Sequence, residues 1–219
     1  WQDVNAWWTK ESDRCVARTM TAAGDWLERH YKEQFFLFVD TWDPHEPWDA
    51  PPYYTELYMP DYDGEVINPF YGRVSDEPGF TDEKLQKAHA TYCGEITLVD
   101  TWIGNLLRKV ENLGISETTT IVFTSDHGFY FGEHDGMFGK ANMAKRDDGT
   151  LYRHGDQDAP WGFSPLYEEV VTIPLLIHSP DSPPGSYSGL TSAVDVMPTV
   201  LEVFDVPKPE WVEGRSLLP

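Results

Sequence analysis

The sequence predicts an α/β fold with a mainly parallel sheet flanked by helices. Segments with helical apolar spacing alternate with short apolar runs, as a doubly wound α/β domain requires. The run at residues 35–39 is continuous in apolar residues, which suits a strand buried on both faces of a parallel sheet, and 173–178 reads as a further strand with Pro174 near its start, where a missing donor is tolerated. A third run, at 118–123, is β-branched and aromatic and reads as a buried strand.

Taken in order, residues 12–31 carry Val16, Met20, Ala23, Trp26 and Leu27 at helical spacing, with Ser12 or Asp13 as the expected cap. The apolar run 35–39 follows. Residues 49–80 are crowded with prolines, glycines, tyrosines and acids and hold no period for long, so they read as an extended covering loop. Within it, Asp61 to Glu65 has the look of a calcium loop, but the later ligands are lacking and a turn is the better reading. Thr81, Asp82 and Glu83 open a long helix whose stripe is Leu85, Ala88, Tyr92, Ile96, Val99, Ile103, Leu106, Leu107 and Val110. Gly114 is placed to end it in a left-handed cap. After strands at 119–123 and 173–178, residues 195–203 form one last short helix, because Pro198 in its first turn costs no hydrogen bond.

Composition narrows the function classes. With 37 acidic against 16 basic residues the formal charge is -21, and no basic stripe is available to displace counterions from a nucleic acid. An anionic substrate would need a local positive site against that field. Cys15 and Cys93 give neither a disulfide framework nor a zinc spacing. No apolar run approaches the ~20 residues that span a bilayer. The chain starts at Trp1 without a methionine, which suggests a piece of a longer protein and leaves the compartment unread.

The chemistry-bearing residues cluster at strand ends. Asp126 and His127 follow the 119–123 run, and His45 follows the 35–39 run. Lys140 lies on the loop beyond His134. Carboxyl-end loops of a parallel sheet gather on one edge, so these residues are expected to converge. Asp126 would offer an oxygen and His127 a nitrogen to a divalent metal, while His45 and Lys140 would donate to an anion. Read alone, Asp126-His127-Gly128 is equally a polar turn leaving a strand, and His45 between prolines equally a strand-end cap. His134 reads as a structural residue that orients the loop.

Several blocks then resemble the sulfatase family of the alkaline phosphatase superfamily. They are Phe-Thr-Ser-Asp-His-Gly at 123–128, Gly-Glu-His at 132–134, Gly-Lys at 139–140, Leu-Tyr-Glu-Glu at 166–169 and Ile-Pro-Leu-Leu-Ile at 173–177. Asp-Pro-His-Glu-Pro at 43–47, Val-Asp-Val-Met-Pro-Thr at 194–199 and Glu-Gly-Arg-Ser-Leu-Leu-Pro at 213–219 extend the match in family order. The resemblance implies an alkaline-phosphatase-like fold, here truncated. It implies a divalent metal, calcium first with manganese or magnesium as substitutes, held in part by Asp126 and His127. His45 and Lys140 would contact the sulfate of a small-molecule or carbohydrate ester and assist departure of the leaving oxygen.

The family's nucleophile is a hydrated formylglycine made from cysteine in Cys-x-Pro-x-Arg or Cys-x-Ala-x-Arg. Cys15-Val16-Ala17-Arg18 departs from it, since arginine comes one place early and the cysteine falls inside a predicted helix. The early paired aspartates and the Lys-x-His segment are also absent. Residues 1–219 therefore read as part of one catalytic domain that lacks the nucleophile segment and the C-terminal subdomain. A phosphonate or phosphodiester hydrolase of the same superfamily, and a non-catalytic sulfatase-like binding protein, remain alternatives. Trp42, Trp48, Tyr53 and Tyr54 read either as packing for the long loop or as sugar-stacking rings. Residues 141–165 exceed the family's usual spacing and read either as an insertion whose Arg153 and His154 reach over the site or as a solvated surface excursion.

Overall fold

The computed structural model describes residues 8–152, 156, 160 and 162–218. Arg153 and His154 lie outside these. In chain order the elements are α1 (Cys15–His30), α2 (Pro52–Thr55), β1 (Gly72–Arg73), α3 (Asp82–Asn112), β2 (Ile121–Thr124), β3 (Tyr130–Phe131), β4 (Met137–Gly139), α4 (Glu168–Val171), β5 (Leu175–His178) and α5 (Val196–Val203). The chain divides into one unit of Trp1–Leu113 with Gly128–Thr172, and a second of Gly114–His127 with Ile173–Pro219.

In the first unit α1 and α2 pack on α3. Val16 and Met20 of α1 meet Leu98 and Val99 of α3, with Trp102, Ile103 and Leu106 at the margin. The expected local cap of α1 is replaced by a distant one: Ser12 and Asp13 fall in a preceding 3₁₀ turn, and the Asp43 carboxylate accepts from Val16 N–H at 2.7 Å. A carboxylate there satisfies an orphan donor and faces the positive end of the helix dipole. Cys15 is the first residue of the helix rather than a residue of its middle.

α3 starts where expected, with Thr81 Oγ1 accepting from Lys84 N–H at 3.3 Å, and Gly114 turns the chain at φ 71°. Most of the predicted stripe packs inward, with Ala88, Val99 and Val110 buried and Leu85, Tyr92, Ile103 and Leu106 against the cores, but Ile96 and Leu107 are exposed. Thr91, Gly94, Glu95 and Leu98 are also buried. At that level of the helix a carboxylate, rather than an isoleucine, faces inward.

A second core joins Trp48, Ile67, Phe70, Ala88, Phe138 and Leu151. Beside it, β4 pairs antiparallel with both β1 and β3. The 49–80 segment is largely irregular, as expected, and is pinned by Lys87, whose ammonium contacts Asp63 at 2.8 Å and Glu65 at 2.6 Å. The resemblance of 61–65 to a calcium loop thus resolves as a turn clamped by a lysine.

In the second unit β2 and β5 pair antiparallel, Ile121 opposite His178 and Thr124 opposite Leu175. α5 begins after a 3₁₀ turn at Ala193–Asp195, one residue later than expected.

The mainly parallel sheet is not what the described residues form, for every paired strand among them is antiparallel. Nor does 35–39 form a strand. Phe36 and Phe38 are 62% and 76% exposed, while Phe35, Leu37 and Val39 are half-buried. Two of the three apolar runs are strands, β2 and β5, but strand direction is decided by pairing, which an apolar run does not encode.

Candidate functional site

His45 sits in a tight loop built between two anchors. Before it, Asp43 is tied to the start of α1. After it, Trp48 is buried and its indole N–H donates to Pro44 O at 3.0 Å, closing the loop on itself. Tyr92, Phe129 and Phe131 surround the Trp48 ring at centroid distances of 4.9–5.5 Å. The Asp43–Pro44 and Glu46–Pro47 peptides are cis. Trp48 is thus a packing residue, whereas Trp42 is exposed and lies on the His45 ring at 4.1 Å.

Within that loop His45 Nδ1–H donates to Glu46 O at 2.8 Å, with Glu46 Oε2 at 3.3 Å. This fixes the tautomer and leaves Nε2 as the acceptor. Lys140 Nζ meets that Nε2 at 3.0 Å. Lys140 follows β4, and the approach depends on Gly139: its φ is 134°, and a Cβ there would lie 2.9 Å from Tyr71 Cα. No L side chain suits that backbone or that space.

Behind the loop lies a group of charges that the sequence reading did not single out. Arg14 Nη1 is 2.9 Å from Asp49 Oδ2. Glu95 on α3 is 2% exposed and receives a hydrogen bond from the Ala50 backbone, while its Oε2 has no partner. Burial, then the nearby Asp43 and Asp49 charges, push the Glu95 carboxyl up to about 8 against the opposing pull of Arg14. Burial likewise raises Asp43. The available signal was spacing: Glu95 lies seven residues after Ala88 and four before Val99, an apolar position of the helix.

His134 and Asp135 both adopt left-handed backbone, at φ 50° and 63°. The His134 ring stacks on Tyr167 at 3.8 Å and its Nε2 is 2.8 Å from Glu169 Oε2, while Arg73 donates to the His134 and Asp135 carbonyls at 3.0 Å. These contacts hold the turn between β3 and β4, the structural role expected of His134.

In the second unit Asp126 and His127 leave β2 as the sequence places them. Asp126 Oδ1 accepts from His127 N–H at 2.8 Å, and Oδ2 is 3.5 Å from His127 Nε2. Gly128 then needs its missing side chain, because a Cβ would fall 2.0 Å from Glu169 O while Gly128 N–H donates to Val170 O at 2.8 Å. His45 and Lys140 are therefore brought together in one unit, and Asp126 and His127 stand as neighbours in the other.

The donor set of the second pair fits a divalent cation in part. A side chain carboxylate and an imidazole nitrogen 3.5 Å apart can share one ion. Among the described residues no three His, Cys, Asp or Glu side chains gather as a metal-binding group, so the pair amounts to a fraction of a shell.

A family model described as Sulfatase matches residues 3–206. The arylsulfatase of Clostridium perfringens (strain 13 / Type A) is 27% identical over 210 residues, covering 88% of this chain and 39% of that protein. The N-acetylglucosamine-6-O-sulfatase of Bacteroides thetaiotaomicron is 35% identical over 138 residues, covering 62% of this chain and 20% of that protein. The crystal structure of the phosphonate monoester hydrolase of Agrobacterium radiobacter superposes with a TM-score of 0.73 at 22% identity, over 96% of this chain and 42% of that one. The chain spans well under half the length of these relatives, and it shares their fold.

Proposed function

This chain belongs to the sulfatase family, and from that premise we propose that the protein it comes from hydrolyses a sulfate ester, with His45 and Lys140 at the sulfate and Asp126 and His127 on a divalent metal. The observation that carries the reading is the 3.0 Å approach of Lys140 Nζ to His45 Nε2. The Lys140 ammonium, held on the acceptor nitrogen of His45, supplies a local positive charge in a chain of formal charge -21. When a sulfate oxygen arrives, the Lys140 ammonium turns to it. His45 Nε2, released from Lys140, can take up a proton and present it to the leaving oxygen, while Nδ1–H stays fixed on Glu46 O.

A calcium ion, or manganese or magnesium in its place, would be held by Asp126 and His127 and would supply Lewis-acid chemistry. A hard dication takes six to eight oxygens, so two ligands require further ones from the rest of the protein. The attacking group is also placed outside these residues, because neither Cys15 nor Cys93 stands in the family's cysteine motif. A donor pair without a nucleophile binds an anion and does not turn it over.

A carbohydrate sulfate is the substrate class favoured here, supported by the N-acetylglucosamine-6-O-sulfatase among the relatives. The test compares aryl sulfate, amino-sugar 6-sulfate and phosphonate monoester hydrolysis by the full-length protein and by residues 1–219 alone. Sulfate ester hydrolysis by the full-length protein and none by the fragment is expected. Preference for the phosphonate monoester would replace the reading with the fold neighbour's chemistry, and turnover by the fragment would overturn the external nucleophile.

A further inference from the structure

Glu95 is the one carboxylate on the apolar face of α3 with an oxygen that is buried and without a partner. It faces the two acids that bracket His45, Asp43 and Asp49, and the arginine that pairs with Asp49. Of the charged groups around it, Asp43 and Asp49 oppose its ionisation and Arg14 favours it. Asp43 and Asp49 sit two residues before and four residues after His45. Any movement of either is passed along a loop already closed by the Trp48 to Pro44 hydrogen bond.

We propose that Glu95 is a positioning residue for His45, a buried carboxylic acid whose proton keeps Asp43 and Asp49 seated beside Arg14 and so holds the 43–49 loop in the shape that aims His45 at Lys140. A buried acid that keeps its proton adds no charge to the two carboxylates before it. Once ionised it places a third negative charge against a single guanidinium in a buried space, which repulsion and desolvation both oppose. The loop carrying Asp43 and Asp49 is irregular chain, whereas α3 is a 31-residue helix packed on α1 and α2, so the response to the added charge falls on the loop. With its carboxyl pushed up to about 8, Glu95 makes this change at mildly alkaline pH. The inference rests on the assignment of His45 to the anion site.

The experiment uses the full-length protein with ¹³C-labelled histidine, the His45 resonance being identified by its loss in His45→Gln. The His45 ring signal is followed from pH 6 to 9.5, with and without inorganic sulfate. In the unaltered protein the signal should show a transition centred near pH 8, and sulfate affinity should fall about threefold or more across it. Glu95→Gln, which cannot ionise, should remove both changes. Asp43→Asn keeps an acceptor for Val16 N–H and removes one neighbouring charge, so it should move the transition to lower pH. That second variant retains Glu95 and decides the matter if Glu95→Gln does not fold. Superimposable His45 profiles in the unaltered protein and Glu95→Gln, or an unmoved transition in Asp43→Asn, would overturn the proposal. If sulfate binds none of these proteins, the assignment of His45 to the anion site fails, while the sulfate-free His45 profiles still decide the role of Glu95.

Discussion

Lys140 Nζ and His45 Nε2 face each other at 3.0 Å although 95 residues separate them in the chain. Two features make the meeting possible. The His45 ring is fixed from its other side by Glu46 O, and the Lys140 backbone is set by a glycine at φ 134°. The Lys140 ammonium resting on the acceptor nitrogen of His45 is a positioned donor, which an incoming anion can redirect without rebuilding the site.

Removing the ammonium should therefore cost binding and turnover together. In the full-length protein Lys140→Met is expected to lower kcat/KM for a sulfate ester by about 10²–10³-fold, the range seen when a preorganised donor is removed. Lys140→Arg restores charge but replaces a compact ammonium with a planar fork, so recovery should be partial. Steady-state kinetics on the two variants checks this, and an unchanged kcat/KM in Lys140→Met would remove Lys140 from the site.

Trp48 carries the His45 loop on its indole. Trp48→Ala should destabilise the protein by about 3–5 kcal/mol, from lost burial and the cavity left behind. Trp48→Phe keeps most of the ring contacts but loses the bond to Pro44 O, for about 1 kcal/mol. Urea midpoints of the two variants separate the terms. The smaller change should still raise KM for the anionic substrate, because the loop closure lost is the one that bears His45.

Gly139→Ala tests the other side of the pair. The added methyl would meet Tyr71 Cα at 2.9 Å on a backbone that L residues avoid, a cost of about 1–3 kcal/mol. The strain relaxes by moving Lys140. The expected outcome is a rise in KM for sulfate ester at a thermal midpoint a few degrees lower; an unchanged KM would show that Lys140 does not need this turn.

Much of this site could be read from residue order, because family blocks and strand-end positions are local features. His45, Asp126, His127 and Lys140 are all proposed on such features, and the structure brings His45 and Lys140 together. Periodicity also placed both long helices, the long α3 at its start and end and α1 two to three residues too early. What stayed hidden was relational. Whether 119–123 and 173–178 lie parallel depends on which strands stand beside them, and the run 35–39 offers apolar residues on both faces without saying what covers them. The Asp43 cap on α1 and the inward turn of Glu95 depend on contacts across 27 or more residues. A one-residue rotation of α3 separates Ile96 from Glu95, and only packing against α1 and the 43–50 loop decides it.

The buried acids should act on stability in opposite directions as pH changes. Asp195 in the second unit accepts from Arg215 N–H and Ser192 N–H, both at 2.9 Å, and these bonds hold its carboxyl below the usual range. A depressed carboxyl contributes stability above its unfolded value, and that contribution is lost as pH falls through the folded value. Asp195→Asn should lower stability at pH 7 and make the loss between pH 5 and 3 shallower. Glu95 in the first unit has the reverse sign. Folded, it holds a proton that the unfolded chain has released above about 4.5, so its contribution falls as pH rises from there to about 8 and is level beyond. Glu95→Gln should therefore flatten the decline on the neutral side while leaving the acid limb in place. Urea midpoints at pH 3.5, 5, 7 and 8.5, followed by signals specific to each unit, give four numbers per variant. A neutral-side slope that survives in Glu95→Gln would mean that Glu95 is already ionised in the folded protein, and an acid limb unchanged in Asp195→Asn would mean that the two amide bonds do not depend on its charge.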